Sequence, residues 1–219
     1  AAKCRHIVTD FPVSRVWREG AAWCVSGGRE TRRYDRLVST IPVQTLIEAL
    51  PDVPEEIRRA MKALRFNSLI TVMLGLRSDA PLPFTAIYVP DSAILFHRLS
   101  FPLNFTPKGA PVGHMAVTAE ITANPGDGIH SMSDDAVIDR TLACLTRMGI
   151  ASPDALTFRA VHRTQYAYVV QSADSEKNRK AVLDYVSSLG IVSVGRNAEF
   201  EYINMDEATR RGLAVAKGL

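Results

Sequence analysis

Over the first forty positions the chain reads as strands. An alternating run over 12–18 puts Val13, Arg15 and Trp17 on one side. A turn at Glu19-Gly20 leads into a second strand over 22–26, and Gly27-Gly28 marks the next turn. Residues 29–34 form a polar, exposed strand. The run Tyr34-Asp35-Arg36-Leu37-Val38-Ser39-Thr40-Ile41-Pro42 then reads as a short buried strand ended by proline. A chain that begins directly in a meander reads as a piece cut from something longer.

The period then changes. Residues 43–50 predict a short helix. Pro54 with Glu55 and Glu56 opens another, whose Ile57, Met61 and Leu64 form an apolar stripe. Strands are expected at 67–76, 85–89, 94–100 and 113–121, separated by Pro, Gly and Asp, and this spacing points to an antiparallel sheet. Ser133 caps a predicted helix through Met148, with Gly149 beyond it. A strand at 156–162, a helix at 175–189 ended by Gly190, a strand at 191–194 and a last helix at 207–219 complete the pattern. The proline-rich stretch 102–111 reads as a loop over the sheet.

Composition narrows the class. With 219 residues, 47% hydrophobic and 22% charged, the chain can bury a substantial core. A net charge of +3 argues for neither nucleic acid nor a membrane surface as partner. The three cysteines, Cys4, Cys24 and Cys144, are widely spaced and fit reduced thiols in a cytoplasmic protein rather than zinc ligation. No apolar run reaches membrane-spanning length. The five histidines lie far apart and read individually as structural.

The densest chemistry is at the end of the chain. A strand runs into Gly195-Arg196, and Tyr202-Ile203-Asn204-Met205-Asp206 then opens a helix bearing Ala208, Gly212, Ala214 and Ala216. Glycine after a strand lets a ligand approach the backbone closely, and a helix N-terminus offers N–H groups to an anion. An aspartate there is equally a plain helix cap. The complementary phosphate cradle, a G-x-G-x-x-G, does not occur in the chain. A second constellation is Arg163-Thr164-Gln165-Tyr166-Ala167-Tyr168, whose two tyrosines share one face of a strand and form either a cavity wall or packing. His97, Arg98 and Glu120 are polar positions on otherwise apolar strands and face either a cavity or solvent.

These segments resemble the flavin-dependent amine oxidases and protoporphyrinogen-oxidase-like proteins. The run 34–42 is similar to the strand by which that family returns to its dinucleotide-binding domain, and the meander ahead of it matches too. The ending Gly195-Arg196 … Tyr202-x-x-Met205-Asp206 is similar to the last FAD-contacting segment, in the form found in the branch containing UDP-galactopyranose mutase. The resemblance implies FAD as cofactor in the full-length protein, contacted through Thr40, Pro42, Gly195, Arg196, Asn204, Met205 and Asp206. It implies a small-molecule substrate near Arg98, Tyr166, Tyr168 and Tyr202. Val169 stands where many relatives carry proline.

The expected fold is α+β. An antiparallel substrate-binding sheet with packed helices occupies 43–190. The returning strands and last helix of an FAD domain occupy 1–42 and 191–219, and the N-terminal half of that domain is the missing partner. The expected activity is hydride transfer from substrate to flavin. Two alternatives remain: a flavin-dependent isomerase of the mutase type, and a non-catalytic α+β binding module.

Overall fold

The computed structural model describes residues 6–78, 82–106 and 108–218. Cys4, Pro107 in the predicted loop and Leu219 at the end of the last helix lie outside the described residues. In chain order come β1 (Val13–Glu19), β2 (Ala22–Gly27), β3 (Glu30–Tyr34), β4 (Leu37–Ser39), α1 (Val43–Ala49) and α2 (Glu55–Lys62). Then follow β5 (Phe66–Arg77), β6 (Ala86–Tyr88), β7 (Arg98–Ser100), β8 (His114–Thr122), α3 (Asp134–Arg147) and β9 (Leu156–Val169). The chain ends with α4 (Ser175–Ser188), β10 (Ile191–Ser193) and α5 (Met205–Gly218).

Two compact units result. The first joins Ala1–Arg65 to Val169–Leu219, and the second is Phe66–Tyr168. This division differs from the one expected at 42/43 and 190/191. Helices α1, α2 and α4 belong with the meander and the chain's last segments, because α1 and α2 pack together, α2 packs on α4, and α4 packs on β10. A helix's apolar stripe states that it must be covered, not by which sheet.

In the first unit, β1, β2 and β3 form an antiparallel meander. Its burial rests on Val16, Trp23 and Cys24, with the Arg18 guanidinium 4.8 Å from the Trp23 ring centroid. On β1 only Val16 is fully buried; Val13 and Trp17 are half-buried and Arg15 is exposed. Strands β4 and β10 pair in parallel, Val38 opposite Val192 and Ser39 opposite Ser193. The pairing continues where Val194 N–H donates to the Ser39 carbonyl at 3.0 Å. α1 buries Val43, Leu46 and Ile47, and α4 buries Val182 and Val186.

The second unit is a five-stranded sheet in the order β6-β7-β8-β5-β9. Its β6/β7, β7/β8 and β8/β5 pairs are antiparallel. Alternation sorts the side chains. Ile70, Val72, Leu74 and Leu76 of β5 and Met115, Val117, Ala119 and Ile121 of β8 form one core with Val137, Ile138 and Leu145 of α3. Ser133 caps α3 as the sequence indicates, its hydroxyl accepting from Ala136 N–H. The other face carries Thr71, Met73, Gly75, Ala116, Thr118 and Glu120, register neighbours on β5 and β8.

Two strands differ from expectation. Only Arg98–Ser100 of the segment 94–100 is strand. The residues ahead of it turn, because the Asp91 side chain accepts from Ala93 N–H at 2.8 Å and its carbonyl from Ile94 N–H at 3.0 Å. Conversely, β9 does not stop near 162. It continues through the tyrosine segment to Val169.

Candidate functional site

In the first unit the path to the site begins where β10 ends. Gly195 has φ +100°, a conformation that glycine adopts without strain. Its N–H donates to Glu199 Oε2 at 2.7 Å. Glu199 Oε1 is in turn held by Arg211 Nη1 at 3.0 Å. Arg211, on α5, also pairs with Glu201 at 2.9 Å and Glu207 at 2.7 Å. Hydrogen bonds from Arg210 and Arg211 pull the Glu207 carboxyl down to about 2. The turn at 195–201 is thus tied to α5 by charge-assisted bonds.

Beside this turn lies an open groove of about 390 Å³ lined by Thr40, Val194, Gly195, Arg196 and Asn197 and by Ala208, Thr209 and Gly212 of α5. A Cβ placed on Gly195 would meet no atom within 4 Å, and the same holds at Gly212. The glycine therefore borders open space. Its amide is engaged by Glu199, so the contribution Gly195 can make to a ligand is close approach.

The structure brings Thr40, Gly195 and Arg196 together in this groove. Pro42 is not among its lining residues; it caps α1, its carbonyl accepting from Leu46 N–H at 3.0 Å. Asn204, Met205 and Asp206 sit at the start of α5, with Met205 almost fully exposed. Arg196 lays its guanidinium over the Tyr202 ring, 4.4 Å from the centroid, and Nη1 reaches the Ile203 carbonyl at 3.5 Å. Tyr202 is thereby placed in the first unit, whereas Arg98, Tyr166 and Tyr168 lie in the second.

In the second unit the polar positions converge on Glu120. It is 7% exposed on the sheet face opposite α3. Arg98, its register partner on β7, binds Oε1, and Tyr168 O–H donates to Oε2 at 3.1 Å. His97 Nε2 lies 3.9 Å from Oε2. Burial pulls the Arg98 guanidinium toward neutrality, but hydrogen bonds to Tyr88 and Glu120 outweigh it and raise the pKa. Burial lowers that of His97, with Glu120 working against it and Arg98 with it. The solvent alternative fails for Glu120: it anchors a half-buried polar cluster.

Tyr166 differs from Tyr168. Its ring packs on Phe66 at 4.4 Å between centroids and a 51° tilt, a packing role. Arg163 ties β9 to α3, donating to Asp134 Oδ1 at 2.9 Å and to the His130 and Met132 carbonyls at 3.1 and 2.7 Å. Glu199 and Arg211 are not among the site residues expected from the sequence, where Arg210-Arg211 reads as a solvated surface pair. Their spacing carries no motif, and only the turn at Gly195 brings them together.

Residues 5–217 match the sequence profile of the family described as flavin containing amine oxidoreductase. No curated protein sequence matches the chain. Among solved structures, a reduced UDP-galactopyranose mutase superposes with a TM-score of 0.80 at 18% identity, over 94% of this chain and 45% of that one. A putative protoporphyrinogen oxidase from Exiguobacterium sp. gives 0.67 at 17% identity, over 85% and 42%. A putrescine oxidase variant gives 0.64 at 13%, over 95% and 48%. These likenesses show the fold, and the chain spans less than half the length of each of these structures. Among the described residues no helix is long and apolar enough to cross a membrane.

Proposed function

The chain belongs to the flavin containing amine oxidoreductase family, and from that premise we propose that it is the C-terminal part of an FAD-dependent oxidoreductase acting on a small-molecule substrate. The observation that carries the reading is the groove at Gly195. Thr40 and the Gly195-Arg196 pair, far apart in sequence, line one open space, and the glycine leaves that space unfilled on its Cβ side.

The residues present fit one wall of an FAD site. Thr40, Gly195 and Arg196 would hold the cofactor along the groove, with the first-turn amides of α5 at its electron-rich end. Those amides have no intrahelical acceptors, and the helix dipole adds partial positive charge there. When bound, the flavin supplies a two-electron acceptor for a hydride. Glu199 holds the Gly195 turn in position, and Arg211 keeps Glu199 from facing the groove as an unbalanced charge. Arg196 is preshaped by its stack on Tyr202. In the second unit, the cluster of Arg98, Tyr168 and Glu120 would orient the polar group of the substrate, with its donors already directed by the buried carboxylate. The pyrophosphate cradle would come from the N-terminal half of the FAD domain, outside this chain.

The test uses the full-length protein. It is expected to purify yellow, to release FAD rather than FMN on acid precipitation, and to lose its flavin bands when its substrate is added without oxygen. The 219-residue chain by itself is expected to be colourless. A colourless full-length protein that takes up no FAD would overturn the reading. Turnover that requires pre-reduced flavin and consumes no electrons would replace oxidoreductase by isomerase.

A further inference from the structure

The second unit has a cavity that the polar cluster does not use. It measures about 590 Å³, within the range of small-molecule sites. Its lining is mostly apolar: Met73, Gly75 and Ala116 from the sheet, Phe158 from β9, and Pro102 and Pro111 from the loop. Three features point to an occupant. Gly75 and Ala116 are register partners on the face away from α3, so two of the smallest residues lie side by side there. At Gly75 the reason is partly internal, since a Cβ would come within 3.0 Å of Phe158 Cβ. Ala116 lines the cavity, so a larger side chain there would take up part of its volume. Next, Phe158 leaves 59% of its surface exposed while lining the space. Finally, the loop is held to the chain ahead of β6, Asn104 Nδ2 donating to the Leu82 carbonyl at 2.9 Å.

The cavity lies on the same sheet face as the cluster. Ala116, Thr118 and Glu120 alternate onto the same face of β8, and Thr118 lines the cavity. Thr118 and Glu120 stand two positions apart along the strand, about 7 Å. We propose that this cavity is the binding pocket for the apolar arm of the substrate, whose polar group sits at Glu120, Arg98 and Tyr168. The substrate class is an amphipathic small molecule with an uncharged hydrogen-bonding head. The ion pair of Glu120 with Arg98 cancels, so a charged head would bring an uncompensated charge beside a half-buried pair. This inference rests on the substrate-side reading of the second unit given above.

The experiment titrates the full-length protein with N-phenyl-1-naphthylamine, a neutral apolar fluorophore, and displaces it with 1-alkanols of four to ten carbons. Displacement is expected to improve about fourfold for each added methylene until the pocket is full. Ala116→Phe, which fills the floor, is expected to weaken fluorophore binding at least tenfold. Ala110 lines the same cavity from the loop, so Ala110→Trp does the same from that side, and it decides the matter should Ala116→Phe fail to fold. Displacement independent of chain length, or unchanged binding in the folded variants, overturns the proposal. Flavin absorbance is read on the same samples. Absent flavin with an intact alkanol series removes the cofactor reading alone, and a flat series with flavin present removes the pocket alone.

Discussion

Glu120→Gln isolates what the buried carboxylate does, because it preserves shape and removes charge. In the native structure the two carboxylate oxygens divide their partners: Arg98 on Oε1 and Tyr168 on Oε2. A glutamine offers one acceptor oxygen and one amide, so with the oxygen on Arg98 the Tyr168 hydroxyl must turn to accept from the amide, and Arg98 keeps a neutral acceptor in place of its counter-charge. Losing a hydrogen bond to a charged group costs about 1.5–3 kcal/mol. Stripping a fully buried cation of its partner costs about 3–5 kcal/mol. Arg98 is 32% exposed, so water recovers part of that. We therefore expect a loss of about 2 kcal/mol, or roughly 4–8 °C in melting temperature for a chain of this size. The three-residue strand β7 should loosen with it, since Arg98 is its link to Glu120. The assay is calorimetry with a double-mutant cycle using Arg98→Met. A coupling of about 1.5 kcal/mol or more is expected, with the double variant less destabilised than the sum of the singles. A shift below 1 °C, or a coupling near zero, would refute the claim that the pair is a buried, mutually dependent unit.

The remaining predictions concern the first unit. Gly195→Ala and Gly20→Ala both force an alanine into positive φ, +100° and +62°, where neither Cβ meets an atom within 4 Å. Each is expected to cost about 1–2 kcal/mol, but only Gly195→Ala should lower flavin occupancy of the full-length protein; equal flavin retention would detach the Gly195 turn from the cofactor. In acid, Glu207 is held from 4.5 down to about 2, so the folded state binds its proton less readily than the unfolded chain. Its stabilisation is present above pH 4.5 and lost as pH falls toward 2. The urea midpoint should fall through that window and fall less steeply in Glu207→Gln; identical slopes would refute the linkage.

The alternation and periodicity of this sequence determined where most elements lie. Strand β5, strand β8 and helix α3 sit where the pattern puts them, since each buries one face and that face is written at period 2 or 3.6. The glycine that ends β10 was legible for the same reason: few residues other than glycine fit an open turn at positive φ. Tertiary structure decided the rest. It assigned α1, α2 and α4 to the first unit, because an apolar stripe does not name its partner. It separated Tyr166, which packs on Phe66, from Tyr168, which reaches Glu120, although the two share one strand face. It also made Glu120 a buried anchor and joined Glu199 to Arg211 and the Gly195 amide. A charged residue's role depends on which opposite charge the fold sets within hydrogen-bond reach, and residues brought together by register and turns leave no periodic trace along the chain.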